Sequence, residues 1–252
     1  MPCFFEKMRQ FQVKLGKTVV PIRTKFNDTM QYFGSFVYAD LSLTEEQDDW
    51  VCATSEAFAF WTRTGKAMDA QAECSILSLY CSDYLLGNNS CVFHAVAFTH
   101  HGKAFLITAP PGIGKSTQIR YLQSCYPNEF EIISGDRPIL QKMLDDSFLV
   151  YPSPWNGKEN WHGANEAPLS GIICLERGNE NRIERLSPKK SILPLLPALM
   201  CSRTTEELVT RMAAFEEAII KNVPIWKLIN QGVPGSTHLL YETVFASEEH
   251  DT

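Results

Sequence analysis

Apolar residues change their spacing several times along the chain, and each change marks a different kind of predicted element. Residues 4–43 mix aromatic and β-branched residues with polar ones, separated by glycine, proline and asparagine, which is typical of several short strands in a partly exposed sheet. Residues 44–47 then match a capping box, and the apolar residues after it predict a helix at about 45–62. The chain therefore opens with a β-rich and helical region.

The next stretch combines a helix with a β-hairpin. Residues 67–86 carry apolar side chains at helical spacing, and a Gly-Asn-Asn sequence ends the predicted helix. Residues 91–99 and 103–108 are predicted to be strands, joined by a turn that contains His100 and His101. Because neighbours on the chain point in different directions, an exposed histidine pair is favoured over a metal site.

Beyond the hairpin, helices and strands follow one another with short connections, and the C-terminal part is largely helical. Residues 151–168 lack apolar periodicity and are predicted to form a long loop. The tryptophans in this loop favour an ordered, functional segment. Strands are predicted at 130–134, 139–143, 147–151, 169–175, 182–186 and 224–228, and helices at 115–126, 204–220 and 236–245.

The strongest chemical signal is the stretch KAFLITAPPGIGKSTQ at 103–118. It predicts a buried strand, a Gly- and Pro-rich loop and the first turn of a helix, in that order. Backbone amides that converge on a helix N-terminus bind anions, and a lysine followed by a hydroxyl adds a positive charge and a Mg²⁺ ligand. Lys115 and Ser116 fill the last two places of the pattern G-x-x-x-x-G-K-[ST], whereas Ala109 replaces its first glycine.

A carboxylate follows the next buried strand of the chain. Residues 130–134 are succeeded by Gly135, Asp136 and Arg137. In open α/β sheets ligands bind outside the carboxyl ends of strands, so Asp136 is predicted to meet Mg²⁺ and an attacking hydroxyl. The alternative is a turn-forming aspartate that pairs with the neighbouring arginine.

Composition and charge are those of an ordinary globular protein. The 252 residues are 44% apolar and 21% charged, and they can bury a substantial core. A net charge of -6 and a pI near 5.6 give no electrostatic reason to expect a nucleic acid partner. We find no secretory signal and no apolar window of membrane-spanning length. Eight scattered cysteines without metal-ligand spacing favour a reducing, cytoplasmic compartment.

The order of these parts resembles the HPr kinase/phosphorylase-like serine kinases, whose core belongs to the same fold group as PEP carboxykinase. The segments that carry the resemblance are FHAVAF, APPGIGKST, SGDR, PSPWNGKE, PLSGIICLE and PIWKL. The closing PIWKL strand and the helix after it are also similar to those of small, single-core members found beside peptide-maturation genes. The resemblance covers residues 65–246 and implies an α/β (α+β) catalytic core, a mixed sheet with a P-loop. A small β-rich region at 1–64 would precede this core, and residues 247–252 would form a frayed tail.

The resemblance also implies roles for individual residues. Lys115 would contact the phosphate charge, and Ser116 and Asp136 would bind Mg²⁺. In the family an Asp-Asp pair divides the general-base and metal duties, whereas this chain has Gly135-Asp136, so a single Asp136 would have to do one of them and would leave the other unassigned. His94 would orient Asp136 or a phosphate oxygen, although a core histidine is an equal alternative, and Lys158 would add a second phosphate contact. The residues expected to wrap the nucleotide phosphates are Gly112, Ile113, Gly114, Lys115, Ser116 and Thr117.

Together the motif and the resemblance imply a kinase that uses ATP and Mg²⁺ to phosphorylate a serine hydroxyl of a peptide or small protein. Two alternatives stay open. Ala109 and Gly135 favour a nucleotide-binding regulatory module without turnover, and a small-molecule kinase that acts on free serine or a similar metabolite is the other. The expected partners are a nucleotide and the acceptor, with no nucleic acid and no membrane. Assembly into a homo-oligomer is left open.

Overall fold

A small antiparallel sheet forms the N-terminal part of the computed structural model, which describes residues 9–41, 49–65, 68–163 and 165–246. Its strands are β1 (Arg9–Leu15), β2 (Thr18–Thr24) and β3 (Val37–Leu41), in the order β2-β1-β3, with helix α1 (Thr29–Phe33) between β2 and β3. Phe11, Val13 and Leu15 are buried on one face of β1, as the period of two in a half-exposed strand requires. The predicted N-terminal strands are confirmed.

The helix predicted at 45–62 is wrong over residues 49–54, and its capping box at 44–47 lies outside the described residues. Helix α2 is Ser55–Arg63, with the Thr54 hydroxyl accepting a hydrogen bond from the Ala57 amide at 3.2 Å. Before it, the Val51 amide donates to Pro21 O at 2.9 Å, and the Val51 carbonyl accepts from the Arg23 amide at 3.0 Å. Because these bonds hold Val51 against β2, the helix begins only at Ser55.

Helix α3 (Ala70–Leu86) agrees with the predicted helix at 67–86, of which residue 67 lies outside the described residues. The Asp69 side chain caps it by accepting from the Ala72 amide at 2.8 Å. Its apolar residues cover most of its circumference because it is enclosed between the N-terminal sheet and the rest of the fold. Cys74, Leu77 and Leu85 share one core with Phe11 and Trp155.

The predicted strand at 91–99 is interrupted. Strand β4 (Ser90–Val92) pairs with β8 (Ile139–Lys142), whereas β5 (Val96–His100) pairs with β6 (Lys103–Thr108) and β7 (Phe130–Ser134). The three residues between β4 and β5 cross from one part of the sheet to the other. Their amides bond in turn to the carbonyls of Pro138, Ala198 and Asp136.

The main sheet also contains β9 (Phe148–Tyr151), β10 (Ala167–Arg177), β11 (Arg182–Arg185) and β12 (Ile225–Asn230). Within the described residues it has nine strands, in the order β4-β8-β9-β10-β6-β5-β7, with β12 beside β10 and β11 beside β12. The long strand β10 connects its two parts, since its first residues pair with β9 and the remainder with β6 and β12. Strands β6, β7, β10 and β12 run in one direction.

Helices cover both faces of the parallel strands. Phe105 and Ile107 of β6 face α4 (Lys115–Cys125) and α7 (Gly235–Leu240), which continues as a π-helical turn to residue 245. Ala104 and Leu106 face the opposite side, which α5 (Pro188–Leu195) and α6 (Glu206–Asn222) cover. A strand covered on both faces is apolar at every position, as the FLI run of β6 is. The mixed α/β architecture is as predicted. No helix in the described ranges combines the length and apolar character needed to cross a membrane.

His100 departs from the expectation of an exposed turn. It ends β5 and is fully buried, with its ring stacked on that of Phe130 at 4.9 Å between centroids. The pairing of β5 with β7 requires this contact, because His100 lies opposite Phe130 in the register. His101 is exposed, as expected.

Glu73 joins the N-terminal sheet to α3, and replacing it should test this junction. Its buried carboxylate accepts from the Lys25 amide at 2.7 Å, the Phe26 amide at 3.1 Å and the Thr29 hydroxyl at 2.5 Å. We expect Glu73→Ala to lower the free energy of unfolding by about 2–4 kcal/mol, because these donors lose their acceptor. Urea unfolding of the two chains measures this difference in the free energy of unfolding. Glu56→Ala, at an exposed position of α2, should change it by less than about 0.5 kcal/mol, and equal losses in both variants would contradict this role.

Candidate functional site

The loop between β6 and α4 surrounds open space. Gly112 and Gly114 have φ values of +80° and +120°, which glycine adopts without strain. A Cβ atom placed on either residue would meet no atom within 4 Å apart from its chain neighbours, so there is open space beside both glycines. Helix α4 begins at Lys115 directly after Gly114, and no side chain caps its first turn, whose amides have no partner within the helix. A loop followed by a helix N-terminus in this way can bind an anion.

Lys115 lies across this loop. Its Nζ donates to Ala109 O at 2.8 Å and lies 3.3 Å from His94 Nε2. Burial lowers the pKa of the Lys115 ammonium, and the negative charge of Asp136 offsets part of this effect. The ammonium is therefore partly desolvated, so that its attraction to an anion in the loop is stronger than it would be in water.

His94 lies between Lys115 and Asp136. The crossing from β4 to β5 fixes its backbone, since its amide donates to Ala198 O at 2.8 Å and its carbonyl accepts from the Thr108 hydroxyl at 2.8 Å. Its Nε2 is 3.3 Å from Asp136 Oδ1. This single ring nitrogen can accept from Lys115 or donate to Asp136, but not both at once. The tautomer of the His94 ring therefore determines which of the two it binds.

Asp136 is held as a carboxylate. Burial acts to raise its pKa, but the hydrogen bond from His94 and the charges of Arg137, His94 and Lys115 together lower the pKa below its ordinary value. Arg137 Nε is 3.3 Å from the second carboxylate oxygen, Oδ2. The other end of Arg137 donates to the Ser78 hydroxyl of α3 at 2.8 Å, which fixes the arginine beside Asp136.

Gly135 is required by the packing of the tryptophan-rich loop. A Cβ on Gly135 would lie 2.6 Å from the backbone oxygen of Asn156 and 3.1 Å from Trp161 Cβ. The Gly135 amide donates to Trp161 O, and the Arg137 amide donates to Trp155 O, both at 3.2 Å. The loop thus occupies the space that the side chain of a second aspartate would need.

The same loop continues past Asp136 to α4. Gly157 has a φ of +67°, and a Cβ there would lie 3.0 Å from Asp136 Cβ, so glycine permits this close approach. Glu159 forms an ion pair with Arg120 of α4, and the Arg120 guanidinium lies 5.5 Å from the centre of the Trp161 ring. Lys158 is exposed next to Gly157. Its contact with a phosphate stays a prediction.

Arg177 lies beside the loop, although the sequence did not lead us to predict it as a site residue. It ends β10, and its Nη2 donates to Gly112 O at 2.9 Å. It also lines a cavity of about 400 Å³ beside the loop, together with Ile113, Gly114, Thr117, Asn230 and Val233. The rule that identified Asp136 applies to Arg177 as well, because β10 runs parallel to β6 and ends at the same edge.

The structure brings Lys115, His94 and Asp136 together, and Gly112 to Thr117 form the loop and helix start beside them. Comparison with known proteins adds little to this geometry. No family model matches the sequence, and no curated protein matches it. Among solved structures, the HPr(Ser) kinase/phosphatase from Coxiella burnetii is similar over 64% of this chain and 97% of its own, with 15% identity and a TM-score of 0.36. So low a TM-score supports no assignment of function.

Replacing Gly135 by alanine should test the packing at the end of β7. The added Cβ meets backbone atoms that cannot rotate away, so we expect the free energy of unfolding to fall by about 1–3 kcal/mol. Gly232→Ala is the control, since its Cβ would enter open space, and it should change stability by less than about 0.5 kcal/mol. Urea unfolding compares the two. Wild-type stability of Gly135→Ala would show that the loop does not pack on Gly135.

Proposed function

We propose that this protein is an ATP-dependent, Mg²⁺-assisted kinase that transfers the γ-phosphoryl group to a serine hydroxyl of a peptide or small protein. The observation that carries the proposal is the row of three side chains beside the loop. Lys115 Nζ and Asp136 Oδ1 both lie 3.3 Å from His94 Nε2. A cation for the phosphates and an ionised carboxylate for a hydroxyl thus adjoin one anion-binding loop, as phosphoryl transfer requires.

The residues beside the loop fit a nucleoside triphosphate. Open space next to Gly112 and Gly114 can receive phosphate oxygens, and Lys115 supplies a positive charge there. Arg177 adds a second positive charge at the mouth of the adjoining cavity. Asn230 lines the same cavity, and its buried Oδ1 has no hydrogen-bond partner among the described residues, which makes this oxygen a candidate acceptor for a nucleoside amino or hydroxyl group.

Ser116 and Asp136 fit Mg²⁺, because hydroxyl and carboxylate oxygens are the ligands that this ion prefers. They would hold it at the phosphates, where it neutralises negative charge. The protein's own residues bind the phosphates and limit the access of water. Lys115 contacts the phosphate oxygens, and the loop from 155 to 161 restricts access of water to Asp136.

Asp136 can orient the acceptor hydroxyl and receive its proton. As the serine oxygen bonds to the γ-phosphorus, the bond from that phosphorus to the ADP oxygen breaks, and the hydroxyl proton passes to the Asp136 carboxylate. A carboxylate with a lowered pKa is a weak base. This is sufficient where the transition state is loose and the attacking oxygen loses its proton late.

A second candidate function is a nucleotide-binding module without turnover. The tight packing of Asn156 against Gly135 favours it, because that packing leaves no room for a second carboxylate. Such a module would bind ATP and Mg²⁺ through the same loop and would transfer nothing. The two functions differ in one observable, the fate of the γ-phosphate.

Incubation with γ-labelled ATP, Mg²⁺ and the serine-containing peptides encoded beside the gene tests the proposal, with mass spectrometry to locate the label. We expect phosphoserine with the wild-type chain. Lys115→Ala and Asp136→Asn should each reduce transfer at least about a hundredfold, because one removes the charge on the phosphates and the other the proton acceptor. The matched controls, Lys189→Ala and Asp28→Asn, change exposed residues and should retain activity.

Thermal shift with ATP and Mg²⁺ separates the outcomes. Binding by the wild-type chain without any transfer would support the non-catalytic module and refute the kinase. Full activity of Asp136→Asn would remove Asp136 from the mechanism. A wild-type chain that neither binds ATP nor transfers phosphate would refute both functions.

A further inference from the structure

Three potential metal ligands lie at the edge of the sheet opposite the phosphate-binding loop. His100 ends β5, His101 follows it in the turn to β6, and Glu129 immediately precedes β7. One ligand atom from each of the three lies within 4.8 Å of the other two. Because β6 and β7 begin at this edge and Lys115 and Asp136 follow their other ends, the cluster is separate from the candidate active site.

The separation of His100 and Glu129 is that of two ligands of one ion. His100 Nε2 lies 3.4 Å from Glu129 Oε2, which is long for a hydrogen bond between these groups. Two ligands at about 2.0–2.2 Å from a tetrahedral zinc ion are themselves about 3.3–3.5 Å apart. The distance between these two atoms therefore matches that of two ligands of one zinc ion.

The turn brings His101 to the same side as His100. Successive side chains of an extended strand point to opposite faces, which is why adjacent histidines seldom share a ligand. His101 instead has a φ of +48°, in the left-handed region. Its ring centre is consequently 4.1 Å from that of His100. The backbone conformation at His101 therefore lets the two adjacent histidines lie side by side, contrary to the expectation from the sequence that they point in different directions.

Neighbouring side chains hold two of the ligands in position. The Tyr241 hydroxyl donates to Glu129 Oε2 at 2.8 Å, which orients the carboxylate. The His100 ring packs against the rings of Phe130 and Phe245, at 4.9 and 5.0 Å between centroids. Metal sites are typically supported in this way, with hydrogen bonds to the ligands and a surrounding apolar shell.

We propose that His100, His101 and Glu129 bind a divalent transition-metal ion of the zinc type. Two imidazoles and one carboxylate are a ligand set that zinc accepts, with water in the fourth position. The ion would link the β5–β6 turn to the start of β7 and so stabilise the fold. This site does not depend on the proposed kinase activity, and its failure would leave that activity untouched.

Calorimetric titration of the full-length chain, without a polyhistidine tag, with ZnCl₂ tests the site. We expect one ion per chain and a rise in melting temperature. His101→Asn should weaken binding at least about tenfold, because it removes a ligand while asparagine tolerates the left-handed φ. Glu129→Gln should weaken binding to a similar extent, since it loses the charged ligand but can still accept from Tyr241.

His162→Asn is the matched control, because it removes an exposed histidine that bonds to Asn156 and Asn160 and pairs with Ser134, at the opposite end of β7 from Glu129. Its zinc affinity should equal that of the wild-type chain. Wild-type affinity in both His101→Asn and Glu129→Gln would place the ion elsewhere and overturn the proposal. Absence of stoichiometric zinc binding by the wild-type chain would also overturn it.

Discussion

Strand β6 is the constraint on which the candidate site depends. It hydrogen-bonds to β5 on one side and β10 on the other, and its side chains fill the cores on both faces of the sheet. A slip of one residue would move Phe105 into the space of Leu106 and disrupt both cores. The end of β6, and with it the loop that leads to Lys115, is therefore fixed in place before any ligand binds.

The chemistry of the site follows from strand direction. Strands β6 and β7 run parallel, so Lys115 and Asp136 meet at one edge, while the antiparallel β5 begins there and brings His94 between them. Arg137 extends this arrangement by bonding to Ser78 of α3. The helix that packs on the N-terminal sheet thus supports the carboxylate of the site.

Much of this arrangement could be predicted from the sequence, because it depends on local signals. The strand, loop and helix around Lys115 and the position of Asp136 after a buried strand are short-range patterns. The missed features depend on contacts between distant segments. From the sequence, Gly135 is interpreted as the loss of a carboxylate, and only its close contact with Asn156 explains why glycine is needed there. The break in the strand predicted at 91–99 arises from hydrogen bonds to Ala198 and Pro138.

The same reason explains the errors in local conformation. Val51 is extended because Pro21 and Arg23 bond to it, which no pattern within residues 45–62 reveals. The burial of His100 comes from its pairing with Phe130, thirty positions further along the chain. Arg177, by contrast, could have been found, since it ends a strand at the same edge as Lys115.

The proposed function requires that the loop at 109–114 and the start of α4 bind the phosphates of a nucleotide. The structure of the chain determined with Mg²⁺ and a non-hydrolysable ATP analogue tests it most directly. We predict that the β- and γ-phosphate oxygens lie within hydrogen-bond distance of the amides of residues 112–117 and of Lys115 Nζ, with the nucleoside in the cavity lined by Arg177 and Asn230. Phosphates bound elsewhere on the protein, with the loop empty, would contradict it.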